Sequence, residues 1–215
     1  MPLKVAVVFI AVAAVWLSVF ATLGNRIATI YLPELRWEFE HIAPQYRLIE
    51  IHVIRQHGEA VFKADMLTRQ PLHIGRRVIP PGVSLECSTL VGHLSQPLVL
   101  LLSTVVTAGL LRRIRPLPAL PLTIIAASVI VAIDVPFILV GALEDLVLSI
   151  TSPGDHSPWV IWMNFLNGGG RLALGIAAGL LVIAAAVRSG VTADSRRPRS
   201  ASFFRSAPPH DPRTP

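Results

Sequence analysis

This sequence has little cysteine, lysine or charge of either sign. The single cysteine, Cys87, excludes an intrachain disulfide and any metal site built from several cysteines. Lysine occurs only twice, against 17 arginines, and charged residues make up 15% of the 215 residues, where soluble proteins carry about 25%. With 53% hydrophobic residues and a mean hydropathy of +0.61, the chain is too apolar for an ordinary soluble domain.

Motifs that mark common reactions are also missing. The sequence has no glycine-rich phosphate loop, no nucleophile elbow and no zinc-binding helix. His52 and His57 flank a predicted turn, but no set of residues has the spacing of metal ligands. We therefore expect no metal and no cofactor. The net charge of +6 comes from arginines next to the apolar stretches, so it does not indicate a nucleic-acid partner.

Four long apolar stretches dominate the chain. About 20 helical residues cross a bilayer core of about 30 Å, so each stretch predicts a transmembrane helix. The first could also be a signal peptide ending at Ala21, but its 19 residues exceed the usual apolar core of about 7–15, which favours an uncleaved anchor. Gly168–Gly170 divides the last stretch and places its membrane helix at about Gly169–Val187, with Trp159–Leu166 as an interfacial part or a helical extension. The stretches are Val5–Leu23, Leu94–Leu111, Pro118–Ala142 and Trp159–Val187.

The polar region between the first two stretches predicts a small α+β insert. Pro33–Ile42 opens with proline and repeats apolar residues at helical spacing, which predicts a short amphipathic helix. Leu48–Arg55 and Ala60–Leu67 alternate with period two around the turn Gln56–Glu59, which predicts a β-hairpin. Arg76–Val83, with two prolines and a glycine, is predicted to be a connector. The fold class expected is thus a membrane all-α protein of four helices, divided into an anchor (1–23), this insert (24–92), a three-helix region (93–188) and a disordered basic tail (189–215).

Arginine and lysine positions predict the topology, since short cytoplasmic loops are rich in both. Arg112, Arg113 and Arg115 follow the second stretch, and Lys4 precedes the first. Four more arginines follow soon after the fourth stretch, whereas residues 116–170 contain no lysine or arginine. Both termini are therefore expected to be cytoplasmic, with residues 24–92 outside. The arginine-, alanine- and proline-rich composition points to a bacterial protein, so the inner membrane is the expected location. The four arginines soon after the fourth stretch are Arg188, directly before the tail, and Arg196, Arg197 and Arg199 within it.

Two charges lie inside apolar stretches, Asp134 in the third and Arg171 in the fourth. Counted from Pro118 and Val187, each lies 16 residues from its predicted inner end, or about 24 Å along a helix. A charge at such depth costs at least a few kcal/mol unless it is paired. The two residues are therefore predicted to form an intramembrane ion pair, the alternative being that Arg171 reaches the headgroups while Asp134 is protonated or hydrated.

Other polar groups are predicted to collect at the same membrane face. They form either a substrate site or the ordinary polar fringe of four spans. Gly175 and Gly179 are spaced as in helix-packing motifs, which serve contacts within one chain or with a partner helix. The polar groups are Cys87, His93, Gln96, Glu144, Asp145, His156, Asn164 and Asn167.

The segment Leu85-Glu86-Cys87-Ser88-Thr89-Leu90-Val91-Gly92-His93, ahead of a span, resembles the exosortase and archaeosortase family. Members are multispanning enzymes that cleave and transfer proteins bearing C-terminal sorting signals, using a Cys, an Arg and a His. The resemblance implies Cys87 as nucleophile, His156 as base and Arg171 as oxyanion stabiliser. In the family, the span after the basic loop ends in Asn-x-x-Arg, whereas this chain has Asp134 in that region. The order of one span, an outer region and three spans is also similar to exosortase-associated integral membrane proteins.

Two functions follow as hypotheses. The first is a non-catalytic accessory or scaffold protein of an exosortase-like system, with membrane lipid and another membrane protein as partners. The second is a divergent membrane cysteine transpeptidase or protease acting at the outer face. A small transporter is disfavoured, because four spans without an internal repeat offer little path for a substrate.

Overall fold

The computed structural model describes residues 2–74, 77–111, 113–114, 116–151 and 157–195. His156, Arg112, Arg115 and the tail beyond Ser195 lie outside the described residues, as do the predictions made on them. Within the described residues, most of the chain is helical, and a three-stranded sheet and a two-stranded ladder follow the first helix. Four helical segments are long and apolar enough to cross a membrane.

The first helix is much longer than predicted. Helix α1 (Pro2–Ile42) is 41 residues long and includes Pro33, so the short amphipathic helix expected at Pro33–Ile42 is wrong as a separate element. Pro33 removes one backbone hydrogen bond but does not end the helix. Ala28, Leu35 and Phe39 recur at helical spacing and are fully buried, so packing of this face offsets the cost of the proline.

The polar insert folds into a three-stranded antiparallel sheet of order β1-β2-β5, with β1 at Tyr46–Gln56, β2 at Glu59–Thr68 and β5 at Ser84–Leu90. The predicted hairpin is confirmed. Its turn places His57 and Gly58 at φ 52° and 88°, the left-handed geometry that favours tight hairpins, and pairs Gln56 with Glu59. Phe62, Ala64 and Met66 face the core with the predicted period of two.

Two further pairings were not predicted. Strand β5 contains Cys87 and pairs it with Ala64 of β2. Strands β3 (Leu72–Ile74) and β4 (Arg77–Ile79) form a separate small ladder, so the interpretation of Arg76–Val83 as a plain connector is wrong. Thr68 fixes the end of the loop after β4, because its hydroxyl donates to the Pro80 carbonyl oxygen at 2.8 Å and accepts from the Val83 amide at 3.0 Å.

The remaining helices form a bundle with α1. Helix α2 (Val91–Leu110) contacts α1, α3 and α5, while α3 (Pro116–Thr151) contacts α1, α4 and α5. Helix α3 continues through Glu144 and Asp145, where the sequence predicted a loop. Helix α4 (Pro158–Phe165) leads through a wide turn (Leu166–Gly170) into α5 (Arg171–Ser195), which continues eight residues past the predicted helix end at Val187. The core is continuous from the sheet through the centre of the bundle.

Candidate functional site

Asp134 and Arg171 meet at the centre of the bundle. The Arg171 Nε donates to both carboxylate oxygens of Asp134, at 3.0 Å to Oδ1 and 3.1 Å to Oδ2. Asp134 on α3 is 1% exposed and Arg171 at the start of α5 is 2% exposed. The structure thus brings together the two charges that the sequence placed at one depth. Two desolvated charges are tolerated only with such direct hydrogen bonding.

Asn167 completes the contact from the other side. The Arg171 Nη1 donates to Asn167 Oδ1 at 2.9 Å, four residues earlier in the chain. The sequence had placed Asn167 among general polar groups and had not assigned it to Arg171. The i, i+4 spacing was the signal that could have found it, since side chains four residues apart share one helix face.

The wide turn positions the Arg171 side chain next to Asp134. Within Leu166–Gly170 the helix is interrupted by a kink at Gly169, whose φ of 109° is a conformation that side-chain-bearing residues rarely adopt. The axis therefore changes direction between α4 and α5, immediately before Arg171. The predicted division of the last apolar stretch at Gly168–Gly170 coincides with this turn.

Helix α4 is fixed against α3 next to the ion pair. The Trp162 indole Nε1 donates to the Ile133 carbonyl oxygen at 3.0 Å. Trp159 packs on Phe137 with ring centroids 5.2 Å apart. Asp134 therefore lies in a part of α3 that α4 holds by both a hydrogen bond and ring contacts.

Two polar atoms near the pair have no partner among the described residues. They are Arg171 Nη2 and His93 Nδ1, and both are buried. His93, on α2, interacts electrostatically with Arg171. Buried donors and acceptors without partners are rare, because each costs roughly 1–3 kcal/mol. His93 and Asn167 both line a cavity of about 420 Å³ between the sheet and the helices.

Cys87 does not share this environment. It is 7% exposed on β5, within the hydrophobic core, and it does not line the cavity beside His93 and Asn167. Burial raises the pKa of the Cys87 thiol to about 12, and the charges of Asp65 and Glu86 add to the effect. A nucleophilic cysteine needs the opposite shift. His156, the base implied by the family resemblance, lies outside the described residues.

A second polar group of side chains lies where β1 meets the far end of α3. Burial raises the pKa of Tyr46 to about 12, and the negative charge of Glu144 adds to the effect. Glu144 accepts a hydrogen bond from the Ser157 hydroxyl, and that hydroxyl also accepts from the Trp159 amide at the start of α4. These hydrogen bonds join α3 to the start of α4. The other predicted fringe residues, Gln96, Asp145 and Asn164, are exposed.

Gly175 and Gly179 pack α5 against α2 within the chain. A Cβ at Gly175 would lie 2.5 Å from the Pro97 carbonyl oxygen, and one at Gly179 would lie 2.7 Å from Thr104 Cβ. The alternative that this face receives a partner helix does not agree with these contacts. The face instead brings α2, with His93, close to the start of α5.

Comparisons with protein-family models, with curated proteins and with solved structures find no match to this chain. What defines its class is the fold itself, since four helices are long and apolar enough to cross a membrane and a small sheet follows the first of them. These features indicate a multi-pass membrane protein.

Proposed function

We propose that this protein is a non-catalytic accessory or scaffold protein of the bacterial inner membrane, acting in an exosortase-like protein-sorting or export system. Its sheet faces outward, both termini face the cytoplasm, and its partner is another membrane protein. The proposal rests on the order of elements, one long span followed by a small sheet and three spans, which is similar to exosortase-associated membrane proteins.

One observation carries the non-catalytic part of the proposal. The groups that a sortase-like mechanism would need are used to hold the fold. Arg171 is committed to Asp134 and Asn167, and Cys87 is a core side chain with a raised pKa. A stabiliser of a developing oxyanion must present donors to the substrate, and a nucleophile must be reachable as a thiolate. The accessory role therefore accounts for these residues better than the transpeptidase does.

The N-terminal half of α1 offers a surface for a partner. The most apolar 18-residue window of α1 has no buried residue, and Leu3, Val7 and Ile10 are 77%, 58% and 66% exposed. The small-residue face of α5 is already occupied by α2, and among the four candidate spans α1 has the apolar window that the described residues cover least. In a membrane, lipid tails or the helix of a partner would cover them.

The proposal is tested in the bacterium that encodes the protein. The gene is deleted and complemented with the wild type or with Cys87→Ala, and the processing of proteins bearing C-terminal sorting signals is followed by immunoblotting. We expect the deletion to impair processing and both complementing forms to restore it. Loss of processing with Cys87→Ala at unchanged abundance would establish the enzyme instead. Normal processing in the deletion strain would remove the exosortase-like role.

A further inference from the structure

The cavity beside the ion pair lies at the junction of sheet and helices. The β1–β2 turn and strand β5 form one side, and α2, α3, α4 and the wide turn form the other. If the helices cross a bilayer, the sheet lies beyond their ends, so the cavity lies at the level of one membrane surface. Its volume of about 420 Å³ leaves room for a small polar group.

One side of the cavity provides hydrogen-bond donors. Asn167 uses its Oδ1 to accept from Arg171, which leaves the amide NH₂ of Asn167 to donate. Behind Asn167, Arg171 is 98% buried and its Nη2 has no partner among the described residues. The buried Nδ1 of His93 is also without a partner there. Both atoms lie behind the cavity wall and add polarity next to it, whereas the Asn167 amide is the donor that an acceptor oxygen of a ligand can reach.

A carboxylate lines the same cavity. Glu59 begins β2 directly after the turn, and His93 interacts electrostatically with both Glu59 and Arg171. The charge of Arg171 is already balanced by Asp134, so a simple anion in this cavity would be repelled by the Glu59 carboxylate. A simple cation would leave the donors without acceptors. A zwitterion that carries an oxyanion and an ammonium group fits both ends.

The sheet side of the cavity carries further polar groups, from Gln56, His57, Ser88 and Thr89. The helix side is apolar away from His93 and Asn167, where Ile138 and Ala142 on α3 and Met163 on α4 line it. These side chains suit the glycerol and first methylene groups of a lipid better than a soluble ligand. We infer that this cavity binds the phosphoethanolamine headgroup of a phospholipid, with phosphate oxygens toward His93 and Asn167 and the ammonium toward Glu59. The inference rests on the membrane location in the proposed function, and it does not depend on the accessory role.

Phosphoethanolamine and phosphocholine carry the same charges but differ in their donors. The ammonium N–H groups of ethanolamine can donate to Glu59, whereas the three methyl groups of choline prevent this. Phosphatidylglycerol has the phosphate and no ammonium. These three headgroups therefore separate recognition of the ammonium from recognition of the phosphate.

The test uses the full-length protein, purified in mild detergent, stripped of lipid and placed in nanodiscs of equal parts phosphatidylethanolamine, phosphatidylcholine and phosphatidylglycerol. Native mass spectrometry then identifies the lipid that stays bound. We expect phosphatidylethanolamine to be retained over both others. Glu59→Gln should reduce this preference roughly tenfold, the size of one charge-assisted hydrogen bond. Glu50→Gln, an exposed carboxylate of β1 in the same sheet, should leave it unchanged.

Equal retention of the three lipids, or a preference for phosphatidylglycerol, would overturn the inference. The same effect from Glu59→Gln and Glu50→Gln would also overturn it, because Glu59 would then not be specific. If soluble phosphoethanolamine stabilises the stripped protein as much as phosphatidylethanolamine does, the ligand is the free compound, and the lipid assignment is overturned. None of these results affects the outcome of the processing assay. Failure of the lipid inference is therefore distinguishable from failure of the accessory role.

Discussion

At the residue scale, Arg171 connects three parts of the molecule. Its guanidinium reaches Asp134 on α3 and Asn167 in the wide turn, and its own backbone begins α5. In lipid, apolar burial does not draw helices together, so a directional contact of this kind has more influence on how they assemble than it would in water. We therefore describe the Asp134–Arg171 pair as a clamp, because it stabilises one arrangement of α3 relative to α5.

The clamp makes a prediction for stability. Arg171→Ala leaves the Asp134 carboxylate buried without its partner, so it should lower the free energy of unfolding by about 3–5 kcal/mol and reduce abundance in membranes. Asp134→Ala in the same chain should restore part of this loss. Thermal unfolding in detergent and immunoblots of membranes measure both effects.

The matched control is Arg36→Ala. Arg36 pairs with Glu40 at 3.6 Å, but the two side chains are 54% and 39% exposed. Arg36→Ala should therefore lower the free energy of unfolding by no more than about 1 kcal/mol. Equal effects of the two arginine substitutions, or no rescue by Asp134→Ala, would show that the buried pair is not a clamp.

Cys87 carries a prediction about reactivity. With its pKa raised from 9.0 to about 12, the folded protein at pH 8 should hold roughly a thousandfold fewer thiolates at this site than an ordinary cysteine. Alkylation by iodoacetamide should therefore be very slow until the protein is denatured. Mass spectrometry of the labelled protein over time measures this.

The neighbouring position supplies the control. In a Cys87→Ala, Ser88→Cys protein the thiol moves to an exposed position on the same strand and should react readily.

The raised pKa of Cys87 also determines how the stability of the protein depends on pH. The neutral thiol is favoured in the fold, so its contribution to stability is complete below pH 9.0 and is lost as the pH rises toward about 12. Fast alkylation of folded Cys87 at pH 8 would contradict this description of the site.

At the element scale, α5 depends on close approach to α2. The glycines at 175 and 179 leave room for Pro97 and Thr104, and this approach fixes how α5 lies against the helix that carries His93. The wide turn before α5 contributes in a different way, because Gly169 has open space around it and is needed for its backbone conformation alone.

Gly175→Ala should therefore destabilise the fold. The added Cβ meets backbone atoms of Pro97, which cannot move aside as a flexible side chain would, so we expect a loss of about 1–3 kcal/mol. Gly24→Ala in α1 is the control, because nothing lies within 4 Å of its added Cβ and alanine favours a helix. In the same detergent, the melting temperature should fall for Gly175→Ala and rise for Gly24→Ala, each relative to the wild type. A stable Gly175→Ala protein would mean that α5 and α2 pack less closely.

At the scale of the whole molecule, the parts predictable from sequence were those with strong local signals. The apolar runs and the isolated charges of Asp134 and Arg171 predicted four helices and the pairing of the two charges. The β1–β2 hairpin followed from alternation around His57 and Gly58. Strand β5 was missed, because Ser84–Leu90 mixes charged, polar and apolar residues without a clear apolar face.

Tertiary packing explains the other misses. Pro33 signals a helix start in isolation, and only the burial of Leu35 and Phe39 against the rest of the fold shows why α1 continues through it. The cavity could not be predicted at all, because Glu59, His93 and Asn167 are far apart in sequence and meet only through the contact of the sheet with the bundle.

Topology gives a prediction for the intact molecule in cells. In a Cys87→Ala background, Glu50→Cys on the sheet should react with a membrane-impermeant maleimide in spheroplasts. Arg113→Cys in the loop after α2 should react only after permeabilisation. Both positions are exposed in the structure, so protection would come from the membrane. The reverse pattern would invert the orientation, and labelling of both would argue against a spanning arrangement.

The length of α1 has a mechanical consequence. Its 41 residues extend about 60 Å, twice the thickness of a bilayer core of about 30 Å, and helix joins sheet through only Ala43–Gln45. Span and sheet therefore lack a long flexible linker, and α1 acts as a lever arm. A tilt of about 20°, common for membrane helices, displaces one end of this arm by about 20 Å relative to the other. Any change in bilayer thickness that alters the tilt is thereby converted into sideways travel of the sheet, and of whatever is bound to it.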